Sequence, residues 1–171
     1  MNECHILGLG ETCKLWDGKG YSIGVNDIFG RGIKTDALVV VDNFRKYHER
    51  YRIIQDSRPR EFFSQLTWWR DHPNYKEITL RRFKDIFKLG TIYSSNTTPI
   101  IAMSIAAKKG FKEIVLHGVD FVDHKVCNGK ALTKEIIVYL KFITELEKLG
   151  IKVYLYSNYG ALSNQLPVWQ K

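Results

Sequence analysis

Asp120 is the residue whose type and position best fit a catalytic role. It closes the sequence His117-Gly118-Val119-Asp120, which follows the apolar segment Glu113 to Leu116. We predict that this segment is a buried parallel strand and that Asp120 lies just beyond its carboxyl end. Partial burial there could raise the pKa of the carboxyl group towards the range useful for a general base. Asp120 is therefore the first candidate to deprotonate a substrate hydroxyl.

Two residues shortly after Asp120 could serve the same reaction. His124 is an alternative base, and Lys125 could neutralise a phosphate leaving group. Both could equally be plain surface residues. His117, Asp123 and His124 also share with Asp120 a spacing that is a weak signal for a divalent ion. A buried core imidazole is the more common role for a histidine such as His117.

Short polar residues and glycines follow the other apolar segments as well. Glu11 and two glycines lie at the end of the first segment, and Asn26 follows the second. The carboxyl ends of parallel strands share one edge of an α/β sheet, and such sheets bind ligands at that edge. We therefore predict a nucleotide site there, built from Gly8, Gly10, Glu11, Asn26, Asp42, Asn43, Gly118, Ser157 and Asn158.

Several of these residues also have a purely structural interpretation. Gly8 and Gly10 could let backbone amides face a phosphate, or they could simply allow a tight turn from a strand into a helix. Asp42 and Asn43 could bind ribose hydroxyls or a divalent cation. Alternatively, they could cap the helix that follows them. The sequence leaves both pairs of alternatives open.

The segment Asn96-Thr97-Thr98 precedes a short helix that is apolar nearly all round. Thr98 is the predicted N-cap because its hydroxyl can accept from an unpaired backbone amide, and Pro99 suits the first helical position. Gly110 is expected to end the helix in the left-handed conformation. Since helix N-termini attract anions, we predict that Asn96, Thr97 and Thr98 contact a phosphate-containing ligand.

The order of the predicted elements indicates an α/β fold. Continuous apolar runs are typical of strands that are covered on both faces, and the predicted crossovers make the sheet mostly parallel. We predict a single nucleotide-binding domain over residues 1–171, with one doubly wound sheet and helices on both faces. The predicted strands are His5 to Leu9, Tyr21 to Val25, Ala37 to Val41, Glu61 to Ser64, Ile92-Tyr93, Glu113 to Leu116 and Ile151 to Tyr156, with an edge strand near Ile78 and Leu80.

Two amphipathic helices are predicted besides the one that follows Thr98. The first runs from Asn43 to Ile54, and Pro59 follows it. The second runs from Thr133 to Leu149, where Gly150 stops it. Its predicted buried stripe consists of Ile136, Ile137, Leu140, Ile143, Leu146 and Leu149.

Bulk properties exclude several classes of protein. The longest apolar run covers about eight residues, whereas roughly 20 are needed to cross a bilayer. The first residues lack the basic stretch and the long apolar core of a signal peptide, so we expect a cytosolic protein. Cys4, Cys13 and Cys127 share no metal-ligand spacing, and we interpret them as reduced thiols.

The chain has a formal net charge of +8, and its cations are clustered. One cluster lies between Arg45 and Arg60, and the other lies between Arg81 and Lys88. Either cluster could be an ordinary solvated surface. Alternatively, it could face an anionic partner, and a polyanionic acceptor such as DNA is conceivable.

The motifs at the strand ends resemble a known superfamily. The pattern consists of Gly8-x-Gly10, Asn26, Asp42, Asn96-Thr97-Thr98-Pro99 and the block from Gly110 to Phe121, in that order. It is similar to the superfamily that contains bacterial CMP-sialic-acid-dependent sialyltransferases and the MptE-like 6-hydroxymethylpterin pyrophosphokinases. The resemblance implies a Rossmann-like fold that binds a nucleotide at its strand ends.

The resemblance also implies roles for single residues. Asn26 and Asp42 would reach the base, ribose or phosphate of the nucleotide. Thr98 stands where the sialyltransferases have a serine in their substrate loop, and Asp120 matches the aspartate of their Gly-Ile-Asp-Phe motif. Leu9 replaces the asparagine that they carry between the two glycines.

Three functional hypotheses follow. The leading one is a transferase with a nucleotide-activated donor, most simply a glycosyltransferase-like enzyme that uses a nucleotide sugar and a hydroxyl acceptor in a direct displacement. The second is diphosphoryl transfer from ATP, with Asp42 and Asp120 holding Mg²⁺. The third is a protein that binds a nucleotide without catalysis.

Overall fold

The structure is a computed structural model that describes residues 2–44, 48–122 and 129–170, without the side chains of residues 129–132. Its main feature is a seven-stranded sheet in which every neighbouring pair is parallel. The strands of this sheet are β1 (Glu3–Leu7), β2 (Tyr21–Val25), β3 (Ala37–Val39), β4 (Glu61–Ser64), β5 (Tyr75–Glu77), β8 (Glu113–His117) and β9 (Lys152–Leu155). A second, two-stranded sheet consists of β6 (Leu80–Arg82) and β7 (Ile92–Ser94). The predicted Rossmann-like α/β class is confirmed.

The strand order in the large sheet is β5-β4-β3-β2-β1-β8-β9. The chain therefore builds outwards from β1 in one direction and then returns to add β8 and β9 on its other side. The point where the order reverses lies between β1 and β8. In open parallel sheets, ligands bind outside the carboxyl ends of the strands at such a point.

Within the described residues, three α-helices accompany the sheet, namely α1 (Glu49–Asp56), α2 (Pro99–Lys108) and α3 (Gly129–Lys148). Helix α2 is buried from Ile100 to Ala107, as its nearly uniform apolar sequence predicts. Gly110 follows it with a φ of +93°, the left-handed conformation expected there. No helix among residues 2–44, 48–122 and 129–170 is long and apolar enough to span a membrane.

Helix α1 begins later than predicted. The sequence suggested a start at Asn43, whereas the helix begins at Glu49 and is capped by His48, whose ring accepts a hydrogen bond of 3.2 Å from the amide of Arg50. The expectation that Asp42 or Asn43 caps this helix is therefore wrong. Polar side chains compete for the backbone in such segments, and helical spacing alone could not locate the start.

The buried stripe of α3 also differs from the prediction. Ile137 and Leu149 are exposed, whereas Tyr139 and Phe142 are fully buried. The buried face is rotated relative to the predicted one and consists of Glu135, Tyr139, Phe142, Ile143 and Leu146. The rotation brings an acidic residue, Glu135, into the interior.

The region around residues 75–94 was the least clear in the sequence. The predicted edge strand near Ile78 is two short strands instead, β5 at the edge of the large sheet and β6 in the small one. Phe83 and Phe87 follow β6 and pack edge-on against Phe142 of α3. This aromatic contact anchors the small sheet to the core beside α3.

Candidate functional site

The carboxyl ends of β1 and β8 meet in a closely packed turn. Asp120, which is 7% exposed, accepts hydrogen bonds from the Thr12 amide at 3.0 Å and from the Thr12 hydroxyl. The Thr12 hydroxyl in turn accepts a bond of 2.7 Å from the amide of Gly118. Thr12 belongs to a short 3₁₀-helix, Glu11–Leu15, so Asp120 satisfies donors at the start of that helix. These contacts give Asp120 a structural task, and its predicted base role stays a prediction.

Gly8 and Gly10 serve this turn and do not present their amides to a ligand. The Gly8 amide donates to His117 O at 2.7 Å, and the Gly10 amide donates to Gly118 O at 2.8 Å. A Cβ atom at Gly10 would lie only 2.4 Å from Oδ2 of Asp120. The expectation that these two amides face a phosphate is therefore corrected, because both already bond to strand-end carbonyls. Their glycines are explained by the close approach of β8.

Gly118→Ala is expected to destabilise the protein by about 2–5 kcal/mol, from left-handed strain together with overpacking. Gly118 has a φ of +64°, and a Cβ atom there would lie 2.7 Å from the carbonyl oxygen of Gly8. Gly110→Ala is the matched control because Gly110 also has a positive φ but has no atom within 4 Å of a new Cβ. Urea denaturation of both variants measures the difference. Equal losses in the two variants would contradict the packing argument.

Asn26, Asp42 and Thr98 form a second hydrogen-bonded group at the same edge. The Asn26 amide nitrogen donates to Oδ2 of Asp42 at 2.7 Å and to the Thr98 hydroxyl at 3.4 Å. Asn26 has a φ of +52° and is 6% exposed, so its backbone is held in the left-handed region that asparagine tolerates better than most residues. Its Oδ1 atom is buried and has no hydrogen-bond partner among the described residues.

This group confirms that one edge gathers three residues from the ends of β2 and β3 and the start of α2. It also corrects one detail. Thr98 occupies the N-cap position of α2 and Pro99 follows it, but the Thr98 side chain makes no capping hydrogen bond. Its hydroxyl accepts from Asn26 instead, so the N-terminal end of α2 is tied to the end of β2.

A third group links the segment before α2 to the buried face of α3. The Asn96 amide nitrogen donates to Oε1 of Glu135, and the hydroxyls of Thr97 and Tyr139 are 2.6 Å apart. Phe121, which follows Asp120, packs edge-on against Tyr139 with ring centroids 4.7 Å apart. Residues 96–98 are consecutive, so they connect this third group to the group of Asn26, Asp42 and Thr98. Phe121 connects the third group to the turn at Asp120.

Glu135 is a residue of this edge that the sequence interpretation missed. It is 3% exposed, and its Oε2 atom has no hydrogen-bond partner within the described parts of the chain. A usable signal was present, since Glu135 precedes Tyr139, Phe142 and Leu146 at intervals of four, three and four residues. That spacing places the acidic residue on the same helix face as the buried aromatic side chains.

The remaining sequence candidates are more peripheral. Glu11 is exposed and pairs with Lys14 at 2.7 Å, and this hydrogen bond lowers the pKa of its carboxyl group. Asn43 and Asn158 are exposed and Ser157 is half-buried. The segment after β9 nevertheless reaches the site, because the Ala161 amide donates to Asp120 O at 2.8 Å. His124 and Lys125 lie outside the described residues.

His117 behaves as a core imidazole. It is fully buried, its Nε2 lies 2.9 Å from Nδ1 of His5, and its ring stacks on Tyr156 at 4.3 Å. Burial, and then the neighbouring His5, lower the pKa of His117 to about 3. The predicted divalent-ion site at His117 also needed Asp123 and His124, which lie outside the described residues. Among the described residues, no group of three or more metal-ligating side chains comes together.

Part of the predicted cationic surface is used within the fold. Arg50 pairs with Asp27 at 2.5 Å and lies over the ring of Phe44 at 4.4 Å. Arg60 pairs with Asp36 at 3.4 Å. The Arg58 guanidinium donates to the carbonyl of Ser57 at 2.7 Å. These contacts favour a structural role for this cluster, and a DNA acceptor stays a prediction.

A groove of about 760 Å³ lies away from this edge. It runs between the two sheets beside the C-terminal end of α2, and its lining includes Lys108 and Arg81. Two other lining cations, Lys76 and Lys109, both pair with Glu61 at 2.9 and 2.5 Å. We place the candidate site at the carboxyl edge because the buried polar groups converge there, whereas the groove is open and its charges are largely paired.

Comparison with known proteins supports the fold. No family model matches the chain, and no curated protein matches it. The sialyltransferase CstII from Campylobacter jejuni in complex with CMP superposes with a TM-score of 0.63 at 16% identity, covering 100% of this chain and 86% of that one. The same enzyme with CMP-3FNeuAc gives 0.63 at 17% identity, covering 98% and 85%.

A third structure of this kind contains an acceptor. The sialyltransferase CST-II in complex with a trisaccharide acceptor and CMP superposes with a TM-score of 0.62 at 16% identity, covering 97% of this chain and 85% of that one. At this level of identity the likeness establishes the fold. The predicted resemblance to sialyltransferases is thus confirmed for the fold, and its pyrophosphokinase part stays a prediction.

Proposed function

We propose that this chain is a transferase that binds a nucleotide-activated sugar at the carboxyl edge of its sheet and passes the sugar to a hydroxyl acceptor. The observation that carries the proposal is the group formed by Asn26, Asp42 and Thr98 outside the carboxyl ends of β2 and β3. Parallel α/β sheets bind ligands there. The likeness to structures that hold CMP and a trisaccharide acceptor supports the same assignment.

Asn26 and Asp42 are the proposed nucleotide contacts. Asp42 is exposed, and a carboxylate there can accept hydrogen bonds from ribose hydroxyls. The Oδ1 atom of Asn26 is an acceptor that has no partner among the described residues, and an amino or imino group of a base would satisfy it. The left-handed backbone and the bonds to Asp42 and Thr98 hold the Asn26 side chain in place before a ligand arrives, which lowers the entropy cost of binding.

Helix α2 is proposed to stabilise the departing phosphate. Its N-terminal end lies at Thr98 and Pro99, next to the nucleotide contacts, and carries the positive end of the helix dipole. In a direct displacement, charge develops on the leaving phosphate oxygen, and a fixed positive potential at that point lowers the barrier. Asn96 and Thr97 precede this helix end and remain predicted contacts of the donor.

Asp42→Ala is expected to weaken nucleotide binding by about 10- to 150-fold, the loss that corresponds to about 1.5–3 kcal/mol for hydrogen bonds to a charged group. Calorimetric titration with CMP measures the change, provided that wild-type protein binds CMP. Asp71→Ala is the control, because Asp71 is exposed and has no hydrogen bond or ion pair among the described residues. Unchanged affinity in Asp42→Ala would remove Asp42 from the site.

The direct test of the proposed function is a panel of nucleotide sugars with hydroxyl acceptors, followed by release of the nucleoside phosphate. Thermal shift with CMP, CDP, UDP, GDP and ATP, with and without Mg²⁺, identifies the base first, since stabilisation grows with the logarithm of ligand concentration over Kd. Release of AMP that requires Mg²⁺ would select diphosphoryl transfer instead. Tight binding without turnover across the panel would select a nucleotide-binding protein without catalysis.

A further inference from the structure

We propose that Glu135 is the general base of the transfer and takes the proton of the acceptor hydroxyl, a role that rests on the proposed function. The starting observation is a carboxylate in an unusual setting. Glu135 is 3% exposed, and its only hydrogen-bond partner in the described structure is the side-chain amide of Asn96. Its second oxygen, Oε2, is buried and unpaired among the described residues.

Such a carboxylate is costly to the fold. Buried charges in proteins are normally paired with a cation or fully hydrogen-bonded. No ion pair involves Glu135 within the described residues, and the ring of Tyr139 one turn later is fully buried beside it. An amide or an apolar side chain would suit this helix face better. Residues that lower the stability of the fold in this way are typical of functional sites.

The position of Glu135 suits an acceptor. Glu135 accepts a hydrogen bond from Asn96. Asn96 lies two residues before Thr98, and the Thr98 hydroxyl accepts from Asn26, a proposed nucleotide contact. Neighbouring Cα atoms are about 3.8 Å apart, so the Cα atoms of Asn96 and Thr98 are separated by at most about 7.6 Å. Glu135 is therefore joined through Asn96 to the segment that carries the proposed donor contact Thr98.

A second contact holds the segment before α2 against the helix face that carries Glu135. The Thr97 and Tyr139 hydroxyls, 2.6 Å apart, tie the segment before α2 to the same face of α3. Burial raises the pKa of Tyr139, which therefore stays neutral and can donate a hydrogen bond to Thr97. With Oε1 held by Asn96, Oε2 is the atom left to receive a proton. By contrast, both oxygens of Asp120 already accept from Thr12.

The proposed step is a single displacement. The acceptor oxygen forms a bond to the anomeric carbon of the donor sugar while its proton moves to Oε2 of Glu135. The bond between the anomeric carbon and the phosphate oxygen breaks, and its electron pair leaves with the nucleotide phosphate. Glu135 later returns the proton to water, so no further reactant is consumed.

The test compares Glu135→Gln with wild type in three measurements. We expect the turnover number of Glu135→Gln to fall by about 10²- to 10⁴-fold, the usual contribution of a general base. We expect nucleotide affinity to change by less than about threefold and the melting temperature to stay equal or to rise. Glu147→Gln is the matched control, because Glu147 lies on the exposed face of the same helix. It should leave all three measurements unchanged.

Each result has a distinct meaning. Wild-type turnover with an equally active Glu135→Gln protein overturns the base role and leaves the proposed function intact. A wild type that is silent across the donor panel overturns the proposed function, and the base role falls with it. A Glu135→Gln protein that melts much lower while keeping its turnover assigns Glu135 to the fold. Lost turnover with preserved nucleotide binding and melting temperature supports the proposal.

Discussion

Thr12→Val is expected to lower the free energy of unfolding by about 3–5 kcal/mol. Valine preserves the shape of threonine, but it removes the hydroxyl that donates to Asp120 and accepts from the Gly118 amide at 2.7 Å. A buried carboxylate oxygen and a buried amide then lose their partners. The loss combines a hydrogen bond to a charged group, about 1.5–3 kcal/mol, with an unsatisfied buried donor, about 1–3 kcal/mol.

Urea denaturation measures this loss, and Thr144→Val provides the comparison. Thr144 is also a threonine with a hydroxyl bonded within the protein, here to Leu140 O at 2.9 Å, but it is exposed on α3. Its replacement should cost no more than about 0.5 kcal/mol, as is usual at the surface. If Thr12→Val costs less than about 1 kcal/mol, the turn between β1 and β8 does not depend on this hydroxyl.

Acid is expected to destabilise the protein through His117. The pKa of this histidine falls from 6.5 to about 3 because its ring is buried and lies beside His5. Between these two values the unfolded chain binds a proton that the folded protein does not bind. Stability therefore decreases as the pH is lowered through this range, by about 1.4 kcal/mol per pH unit at most for one group. From pH 6 to pH 4 the loss is about 2–3 kcal/mol.

Chemical denaturation at pH 7, 6, 5 and 4 tests this expectation. His117→Gln keeps a polar side chain beside His5 but cannot titrate, so its stability should depend less steeply on pH than that of wild type. His48→Asn is the control, because His48 is exposed and asparagine can replace it as the cap of α1. Parallel pH profiles for wild type and His117→Gln would show that the imidazole does not control acid unfolding.

The strand ends were predictable because they follow from local patterns. Continuous apolar runs located β2 and β4 at their observed bounds, and the polar residues after β2 and β3 were expected to share an edge. Asn26 and Asp42 do meet there, at 2.7 Å. Parallel strand order makes such side chains neighbours regardless of the details of packing.

Contacts that depend on packing were harder to foresee. Asn96, Thr97 and Thr98 were expected to face a ligand, yet each also bonds to a distant side chain of the chain itself. Glu135 was missed because the hydrophobic stripe of α3 can be drawn through isoleucines or through aromatic residues, and sequence periodicity does not distinguish the two. Only tertiary contacts such as the one between Phe87 and Phe142 select the aromatic face.

The central place of β1 has a consequence for how the chain folds. Its first partner, β2, is close in sequence, but its second partner, β8, is far away, as the contact between His5 and His117 across 112 positions shows. During synthesis on the ribosome, the edge of β1 that pairs with β8 stays uncovered until most of the chain has been made. Non-local pairing of this kind slows folding and leaves a strand edge open to association with other chains. Truncation before β8 is therefore expected to yield an aggregating fragment.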